Sequence, residues 1–360
     1  MKFSLFLIIQ ILLLTSCSTY RLITYNFPGN GDQYIFPSIN FPASPTPQSL
    51  PTSYTSLHFC PKFQHFLCTH NTLAFLMIQN DTLRIEYYAP SISPSCRLDL
   101  FSISKSIVAE VIAVACQEGY FSSLSDTLGQ YLKKIPPRYA SISIRDLLNM
   151  RSGIQHSIYY TTRLYYSHNL SKTLSHIPTY CLSGEYYGYS NADTQWLVTL
   201  FEEVTKKKFA DYFYQKIWHP LHMENPGSWT LDSRRYQTVR GFCGLNLCAR
   251  DLAKIGLCYL HDGYYHNQSI IPVHWVNAIF NNPVYPNPTP EGTIYNMHWR
   301  LLSSGQEILA KGLRGQYLYL NKKTNTLIIR LGTRESSVEW LSLFHQLIAS
   351  LSSTNDFSKK

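Results

Sequence analysis

The stretch Phe101-Ser102-Ile103-Ser104-Lys105-Ser106 opens an apolar run that continues to Gln117 and is followed by Glu118-Gly119. Alanine, valine and isoleucine fill this run, and a glycine behind it is typical of a helix end, so residues 105–117 are predicted to form a buried helix. If Ser102 opens that helix, Ser102 and Lys105 lie one turn apart on the same face. The lysine amine can then contact the serine hydroxyl.

This Ser-x-x-Lys pair is a candidate nucleophile and base. A free serine is a poor nucleophile, and an adjacent amine or phenolate can accept its proton. The N-terminus of the helix adds positive potential and free backbone N–H groups near the hydroxyl. Such a spacing also arises by chance in a chain of this length, and Ser102 is a suitable N-cap residue. The pattern by itself leaves both interpretations open.

A second motif, Tyr189-Ser190-Asn191, follows a turn at residues 183–185. A lysine ammonium close to a phenol favours the phenolate form, so Tyr189 could pass protons to and from Ser102. The Asn191 side chain carries both a donor and an acceptor, which could orient Lys105 and a substrate amide. Tyrosine is abundant in this chain, with 27 residues, so the motif is weak evidence when it is taken alone.

A third motif, residues 311–316, joins two predicted strands and contains Gly312, Leu313 and Gly315. Glycines there would let a substrate lie against the strand edge. The backbone N–H of Leu313 could join that of Ser102 in an oxyanion hole. A plain glycine-rich hairpin explains the same residues equally well.

Around these motifs, the hydrophobic period indicates strands at both ends of the chain. Alternating apolar residues at 73–79 and 82–88 flank Asn80-Asp81 and predict a β-hairpin. Short strands are predicted at 297–302, 307–311, 316–321 and 326–331, with a closing helix at 337–352. Helices are predicted at 144–150 and 194–205, and helical character continues through 246–262 and 270–280. The sequence therefore predicts an α+β fold, in which an antiparallel sheet built from both chain ends is flanked by helices and accompanied by an all-α region.

Taken together and in this order, the motifs resemble those of the serine β-lactamase and penicillin-binding-protein superfamily. The resemblance is strongest to its class C-like branch, which includes nylon-oligomer (aminohexanoate-dimer) hydrolases and related esterases. Residues 144–154 resemble its Ile-Arg-x-Leu-Leu-x-Met-x-Ser-Gly stretch, residues 187–195 its Tyr-Ser-Asn motif, and residues 245–253 its Asn-x-x-Ala-Arg-Asp-Leu-Ala helix. In all, the resemblance covers about residues 70–350.

The resemblance implies a β-lactamase-like fold and a serine hydrolase that works through an acyl-serine at Ser102. Lys105 and Tyr189 would share proton transfer, Asn191 would orient groups in the site, and no cofactor or metal is expected. The implied substrate is a small-molecule or peptide-like ester, amide, β-lactam or D-peptide. Two alternatives stay open: a penicillin-binding or sensor-type module with little turnover, and a catalytically silent surface-binding lipoprotein.

The third motif departs from the pattern of the family. That pattern is Lys-Thr-Gly or His-x-Gly, and alignment on Gly312 places Ala310 where the cation would stand, with Lys311 one position late. A one-residue slip on a strand turns a side chain to the opposite face. We therefore expect Lys311 to point away from the site, which puts binding of a β-lactam carboxylate in doubt. No residue matches the deacylating glutamate of class A enzymes, as is expected for a class C-like site.

The N-terminus predicts export. Lys2 precedes an apolar run at residues 3–14 that is too short to span a membrane comfortably. Leu14-Thr15-Ser16-Cys17 then resembles the bacterial lipobox; an ordinary signal peptide with an incidental cysteine is the alternative. The expected organisation is a signal peptide at 1–16, lipid on Cys17, a Pro/Ser-rich spacer at 17–57, and a hydrolase domain at 58–352. Its α/β part would cover about 70–120 and 246–352, and its helical part about 121–245.

Composition narrows the possible partners and the compartment. The net charge is +9, but the lysines and arginines are scattered apart from residues 206–208, so nucleic-acid binding is not expected. The nine cysteines form no Cys-x-x-Cys pair and no zinc-type spacing. Cys60 and Cys68 could form a disulfide, whereas Cys116 and Cys258 are typical of buried thiols. The expected location is the cell envelope, with the protein anchored by lipid at the outer membrane or the periplasmic face rather than in the cytoplasm.

Overall fold

A computed structural model describes residues 28–29, 31–50, 53–54 and 61–356 of the chain. Its strands are β1 (Ser38–Phe41), β2 (Ser53–Tyr54), β3 (Thr72–Gln79), β4 (Thr82–Tyr88), β5 (Leu98–Asp99), β6 (Gly227–Thr230), β7 (Leu245–Leu247), β8 (Tyr264–Tyr265), β9 (Gln268–Ser269), β10 (Ile294–Asn296), β11 (Trp299–Leu301), β12 (Glu307–Gly312), β13 (Gln316–Asn321) and β14 (Thr326–Gly332). Its α-helices are α1 (Pro61–Thr69), α2 (Ile103–Gln117), α3 (Leu128–Tyr131), α4 (Ile144–Leu148), α5 (Ile158–Tyr165), α6 (Leu170–Leu174), α7 (Asn191–Thr205), α8 (Phe209–Phe213), α9 (Ala249–Leu260), α10 (Val273–Asn281) and α11 (Trp340–Asp356).

The main sheet has eight strands in the order β10-β11-β12-β13-β14-β3-β4-β2. Its neighbours are antiparallel except for the short parallel pair of β2 and β4. β14 pairs with β3, so that Ile329 stands opposite Leu76 in the middle of the sheet. Both ends of the chain therefore build one sheet, and the predicted α+β fold is confirmed.

The predicted hairpin has the turn that its sequence favours. Asn80 and Asp81 have φ angles of 49° and 54°, and two consecutive left-handed residues are what a two-residue hairpin turn of this kind requires. β3 and β4 leave this turn in register, with Gln79 opposite Thr82.

Helices cover both faces of the main sheet. On one face, α1 and α11 enclose a cluster that includes Phe75, Tyr319, Trp340 and Phe344. On the other face, α2 packs on β12 and β13, and α9 packs on β13 and β14. This second layer belongs to the larger core, which continues into the helices between residues 128 and 213. The nucleophile helix α2 thus lies between the sheet and the helical region.

A smaller sheet, in the order β1-β6-β7-β5, was not predicted. Its strands have two to four residues each, which is too short for an alternating pattern to stand out from the sequence. β6 lies within residues 121–245, so this part of the chain is mainly helical but not entirely so. β5 leads directly into Phe101 and Ser102, and the small sheet therefore supports the nucleophile segment.

The structure corrects the predicted spacer at residues 17–57. β1 pairs with β6, placing Ile39 opposite Trp229, and the side chains of Phe36 and Phe41 are buried in the main core. Residues 31–50 are therefore part of the folded domain. Burial of Phe36 and Phe41 holds this segment against the core, although its composition is rich in proline and serine. The remaining boundaries of the predicted domains stay predictions.

The predicted signal peptide and the lipidation site at Cys17 lie outside the described residues. Within the described ranges, no helix combines the length and the apolarity that crossing a membrane requires. In the same ranges, the seven cysteines are all free thiols; Cys258 is buried as predicted, whereas Cys116, which was also predicted to be buried, is only partly so. Cys60, a possible disulfide partner of Cys68, lies outside them.

Candidate active site

Ser102 sits at a strained bend between β5 and α2. Phe101 is buried and has a φ angle of 46°, a left-handed conformation that is rare for a bulky residue. Strain of this kind concentrates at functional sites, where the surrounding structure enforces it. The Ser102 side chain makes no capping hydrogen bond to the helix; instead, its Oγ accepts a hydrogen bond of 2.9 Å from Lys105 Nζ. The contact expected from the Ser-x-x-Lys spacing is therefore present. The Ser102 side chain does not cap the helix.

Lys105 is buried, with 1% of its surface exposed. Besides Ser102 Oγ, its Nζ donates a hydrogen bond of 2.8 Å to the carbonyl oxygen of Phe242, and it lies 4.9 Å from the centroid of the Tyr189 ring. Within the part of the chain that the structure describes, Lys105 forms no ion pair with a carboxylate. A lysine that is fully buried without a carboxylate partner is uncommon in proteins, which indicates a functional role for this side chain.

The loop that carries Tyr189 is held by the segment that follows α4. Gly188 N–H donates to the carbonyl of Met150 at 2.8 Å, and Ser152 Oγ donates to Asp193 Oδ1 at 2.6 Å. Burial raises the pKa of the Asp193 carboxyl to about 8, although its hydrogen bonds act in the opposite direction. The two sequence segments that resemble the family thus pack against each other, and their contacts fix the position of Tyr189.

Asn191 is the first residue of α7, and its side chain lines the same pocket as Ser102 and Tyr189. The expected hydrogen bond from Lys105 to Asn191 is replaced by the bond to the Phe242 carbonyl. This acceptor is a backbone group 137 residues away in sequence, so no side-chain motif could have indicated it. Asn191 stays a candidate for binding a polar group of the substrate.

The third motif forms the turn between β12 and β13, next to the nucleophile. A Cβ atom on Gly312 would lie 2.5 Å from the carbonyl oxygen of Leu100, so only glycine lets this strand end approach the nucleophile segment. Leu313 follows it and lines the pocket together with Ser102. Gly315 completes the turn with a φ angle of 78° and packs against the guanidinium of Arg330.

Ala310 and Lys311 have the orientations that the sequence predicted. Ala310 is buried and belongs to the core on the catalytic side of the sheet. Lys311 is exposed, and its Nζ lies 5.7 Å from the ring of Tyr317, which packs in the cluster on the opposite face of the sheet. The strand therefore offers no side-chain cation to the pocket at either position.

The pocket in front of Ser102 has a volume of about 590 Å³. Apolar and aromatic side chains dominate its wall, and they come from the nucleophile bend, from α5 and from the third motif. Residues that line it include Phe101, Ile158, Tyr165, Tyr166 and Leu313, with Arg314, Arg334 and Glu335 at one side. A pocket of this size and composition suits a small substrate with an apolar portion.

Pro28 contributes to one wall of this pocket, and residues 31 and 32 make hydrogen bonds near it. Pro28 lines it, and its carbonyl accepts hydrogen bonds of 2.8 and 3.2 Å from the Arg314 guanidinium. Tyr165 OH donates to the Asp32 carboxylate at 2.5 Å, and Gly31 N–H donates to Asp99 at 2.8 Å. Burial raises the pKa of Asp99 to about 6. This contribution was not predicted, because these residues fall within the predicted spacer.

Within the described residues, no cluster of three or more histidine, cysteine, aspartate or glutamate side chains could hold a metal ion. The groups that the structure brings together at Ser102 are an amine, a phenol, an amide and backbone N–H and C=O groups. This set can transfer protons and bind an acyl group.

The chain is similar to known proteins over most of its length. Similarity extends to the 6-aminohexanoate-dimer hydrolase of Paenarthrobacter ureafaciens, which is 22% identical over 289 residues, covering 73% of this chain and 72% of the relative. A solved structure from Bacillus anthracis, described as a candidate 6-aminohexanoate-dimer hydrolase, superposes with a TM-score of 0.80 at 18% identity, covering 91% of this chain and 93% of that one. The D-amino acid amidase of Ochrobactrum anthropi SV3 superposes with a TM-score of 0.59 at 14% identity, covering 76% and 91%.

A family model described as Beta-lactamase matches residues 70–346, a range that includes Ser102, Lys105, Tyr189 and the third motif. The match spans more than half of the 360 residues. The chain therefore belongs to the β-lactamase family of serine hydrolases.

Proposed function

We propose that this protein hydrolyses esters or small amides through an acyl-enzyme formed on Ser102. The observation that carries the proposal is the 2.9 Å hydrogen bond from Lys105 Nζ to Ser102 Oγ. It lies at the base of a pocket of about 590 Å³, so a substrate carbonyl can reach the hydroxyl while the amine stays buried.

The residues around Ser102 suggest how the steps proceed. As Ser102 Oγ attacks the carbonyl carbon, its proton passes to Lys105 or Tyr189, and the backbone N–H groups of Ser102 and Leu313 would stabilise the oxyanion. The bond to the leaving group breaks, and the leaving group takes the proton. A water molecule then attacks the acyl carbon, gives up its proton to the same groups, and Ser102 is regenerated with release of the carboxylic acid.

Three observations favour esters and small amides over β-lactams. Ala310 provides no cation, and Lys311 lies on the opposite face of the strand. Arg314 lines the pocket, but its guanidinium donates to the Pro28 carbonyl. A β-lactam carboxylate would therefore lack a charged partner on this strand. The similarity in sequence to a 6-aminohexanoate-dimer hydrolase, and in fold to a D-amino acid amidase, supports a small amide as substrate.

A comparison of substrates tests this preference. A missing charged hydrogen bond costs about 1.5–3 kcal/mol, which corresponds to roughly ten- to a hundredfold in kcat/KM. We expect kcat/KM for p-nitrophenyl butyrate to exceed that for nitrocefin by at least about tenfold. Nitrocefin hydrolysis close to the diffusion limit would contradict the preference. Covalent labelling by a fluorescent penicillin with no hydrolysis of any ester or amide would instead support a penicillin-binding module.

We propose further that lipid on Cys17 anchors the protein in the cell envelope. The support is the apolar run at residues 3–14 and the small residues that precede the cysteine. Metabolic labelling with a palmitate analogue should mark the wild type but not Cys17→Ala, and the variant should leave the membrane fraction. Equal labelling of the two proteins would exclude lipidation at this residue.

A further inference from the structure

One face of α5 lines the pocket in front of Ser102 along the whole helix. The residues of α5 that contribute to the pocket are Ile158, Thr161, Thr162 and Tyr165. They stand three, four and seven positions after the first, and residues with this spacing lie on one side of a helix. At a rise of about 1.5 Å per residue, the face is about 10 Å long. The part of the pocket beside residues 158–165 is therefore an elongated groove, called here the α5 groove.

The α5 groove runs from the interior of the protein to its surface. Tyr165, at one end of the face, is buried, with 6% of its surface exposed. Thr161 and Thr162 are half-buried, and Ile158, at the other end, is 79% exposed. A large apolar side chain is thus open to water at the outer end of the groove.

Other segments extend the apolar surface of the groove. Leu313, in the third motif, lines the pocket and is 43% exposed, and Phe101 and Pro28 line it as well. Single exposed apolar side chains are ordinary on protein surfaces. Ile158 and Leu313, however, come from separate segments and border the same pocket. Exposed apolar side chains grouped around a concave site are typical of a surface that binds an apolar group.

The charged side chains that line the pocket do not form a patch of one sign. The Arg314 guanidinium donates to the Pro28 carbonyl, and its charge acts on the nearby carboxylate of Asp32. Arg334 and Glu335 are adjacent in sequence, exposed and opposite in charge, and salt screens exposed charges. We therefore expect no selection for a substrate chain that ends in a charge.

We propose that the substrate carries an extended, uncharged apolar chain next to its scissile bond, and that this chain lies along the α5 groove from Ser102 towards Ile158. The inference rests on the proposed function, because it places the scissile carbonyl at Ser102. C–C bonds of about 1.5 Å in a zigzag let a chain of about eight carbons span the roughly 10 Å of the helix face. Such a chain would cover apolar surface of Ile158 and Leu313, and removing that surface from water favours binding.

A series of substrates with increasing chain length tests the inference. It comprises p-nitrophenyl esters with acyl chains of four, eight and twelve carbons, and alkyl butyrates with alcohol chains of the same lengths, all below their solubility limits. Transfer of one methylene from water corresponds to roughly a fourfold change in kcat/KM. Because the groove is partly open, kcat/KM should rise by at least about tenfold from four to eight carbons in one of the two series.

The length of the groove makes a second prediction for the same series. Beyond eight carbons kcat/KM should level off, because the face of α5 ends at Ile158. All values are compared with the uncatalysed hydrolysis of the same esters, so that intrinsic reactivity is removed. A rise in either series supports the inference and identifies the side of the scissile bond that carries the chain.

Two esters of equal length test whether the charged side chains select an anion instead. Mono-p-nitrophenyl suberate has the eight-carbon chain of p-nitrophenyl octanoate but ends in a carboxylate. Its kcat/KM should be lower by at least about threefold, because a group that prefers water replaces the terminal apolar carbon. An equal or higher value would show that Arg314 or Arg334 binds an anion, and it would overturn the inference.

Substitutions on α5 test the position of the chain through the ratio of kcat/KM at eight carbons to that at four. Ile158→Asn should lower this ratio by about three- to tenfold; the residue is exposed and Ser157 caps the helix, so the variant should fold. Thr161→Val replaces a hydroxyl with a methyl group on the same face and should raise the ratio by about two- to fourfold. Val273→Asn is the matched control. Val273 is likewise exposed and the first residue of a helix, α10, but it is not part of the pocket, so its ratio should match the wild type.

Failure of the inference and failure of the proposed function give different results. Equal kcat/KM at all chain lengths in both series, or an unchanged ratio in Ile158→Asn, would overturn the inference and leave the proposed function in place. If Ile158→Asn does not fold, a ratio in Thr161→Val no higher than that of the wild type would overturn it. Hydrolysis of no ester in either series, or full activity in Ser102→Ala, would refute the proposed function and the inference with it.

Discussion

Replacing Ser102 with alanine should lower kcat/KM for p-nitrophenyl butyrate by at least about 10⁴-fold, because it removes the atom that forms the acyl-enzyme. The protein should still fold. Ser102 Oγ caps no backbone group of α2, and the change leaves only one hydrogen bond of Lys105 unmade. Steady-state kinetics, with circular dichroism as the check on folding, measures both results.

Ser95→Ala is the control for this substitution. Ser95 is exposed, and its Oγ forms a hydrogen bond of 3.0 Å with Ser93 Oγ, which is also exposed, so its removal should leave kcat/KM and stability unchanged. Wild-type activity in Ser102→Ala would show that another group attacks the substrate.

Replacing Lys105 with methionine should lower activity strongly while changing the stability of the fold much less. The variant loses the amine that contacts Ser102 Oγ, and kcat/KM should fall by at least about 10²-fold, the lower end of what a positioned base contributes. The side chain keeps its apolar length, and no carboxylate is left without a partner. The free energy of unfolding should fall by no more than about 1–3 kcal/mol, because the variant leaves only the Phe242 carbonyl without its buried hydrogen-bond donor. Enzyme kinetics and urea denaturation check the two halves of this prediction.

Lys254→Met is a matched control, because Lys254 is also buried but, unlike Lys105, is paired with a carboxylate. It is fully buried and forms an ion pair of 3.2 Å with Asp251, whose carboxylate also accepts backbone N–H groups of residues 224 and 225. Removing its charge leaves that carboxylate unpaired and should cost about 3–5 kcal/mol of stability. If Lys105→Met lost as much stability as Lys254→Met, Lys105 would be a structural residue.

The sequence predicted those parts of the site that depend on local spacing. Ser102 and Lys105 are one helical turn apart, so any helix that begins there brings them together. The hairpin at Asn80-Asp81 and the strands after residue 306 followed from alternation and turn chemistry in the same way. Gly312 was selected because glycines would let a substrate lie against the strand edge, and in the structure it also lets the Leu100 carbonyl approach.

Other parts of the site depend on distant segments and leave no local signal. The Phe242 carbonyl receives the hydrogen bond of Lys105 as a backbone group, and every residue has such a group. Pro28, which lines the pocket, and Asp32, which accepts a hydrogen bond from Tyr165, belong to a stretch with the composition of a linker.

The most direct test of the account is to identify the residue that carries the acyl group. The wild-type protein would be mixed with p-nitrophenyl butyrate, quenched in acid within the first turnover, digested and analysed by mass spectrometry. The account predicts a butyryl adduct on the peptide that contains Ser102, at that residue, and no adduct in Ser102→Ala. A butyryl adduct on a different residue, or hydrolysis with no covalent adduct at any quench time, would contradict it.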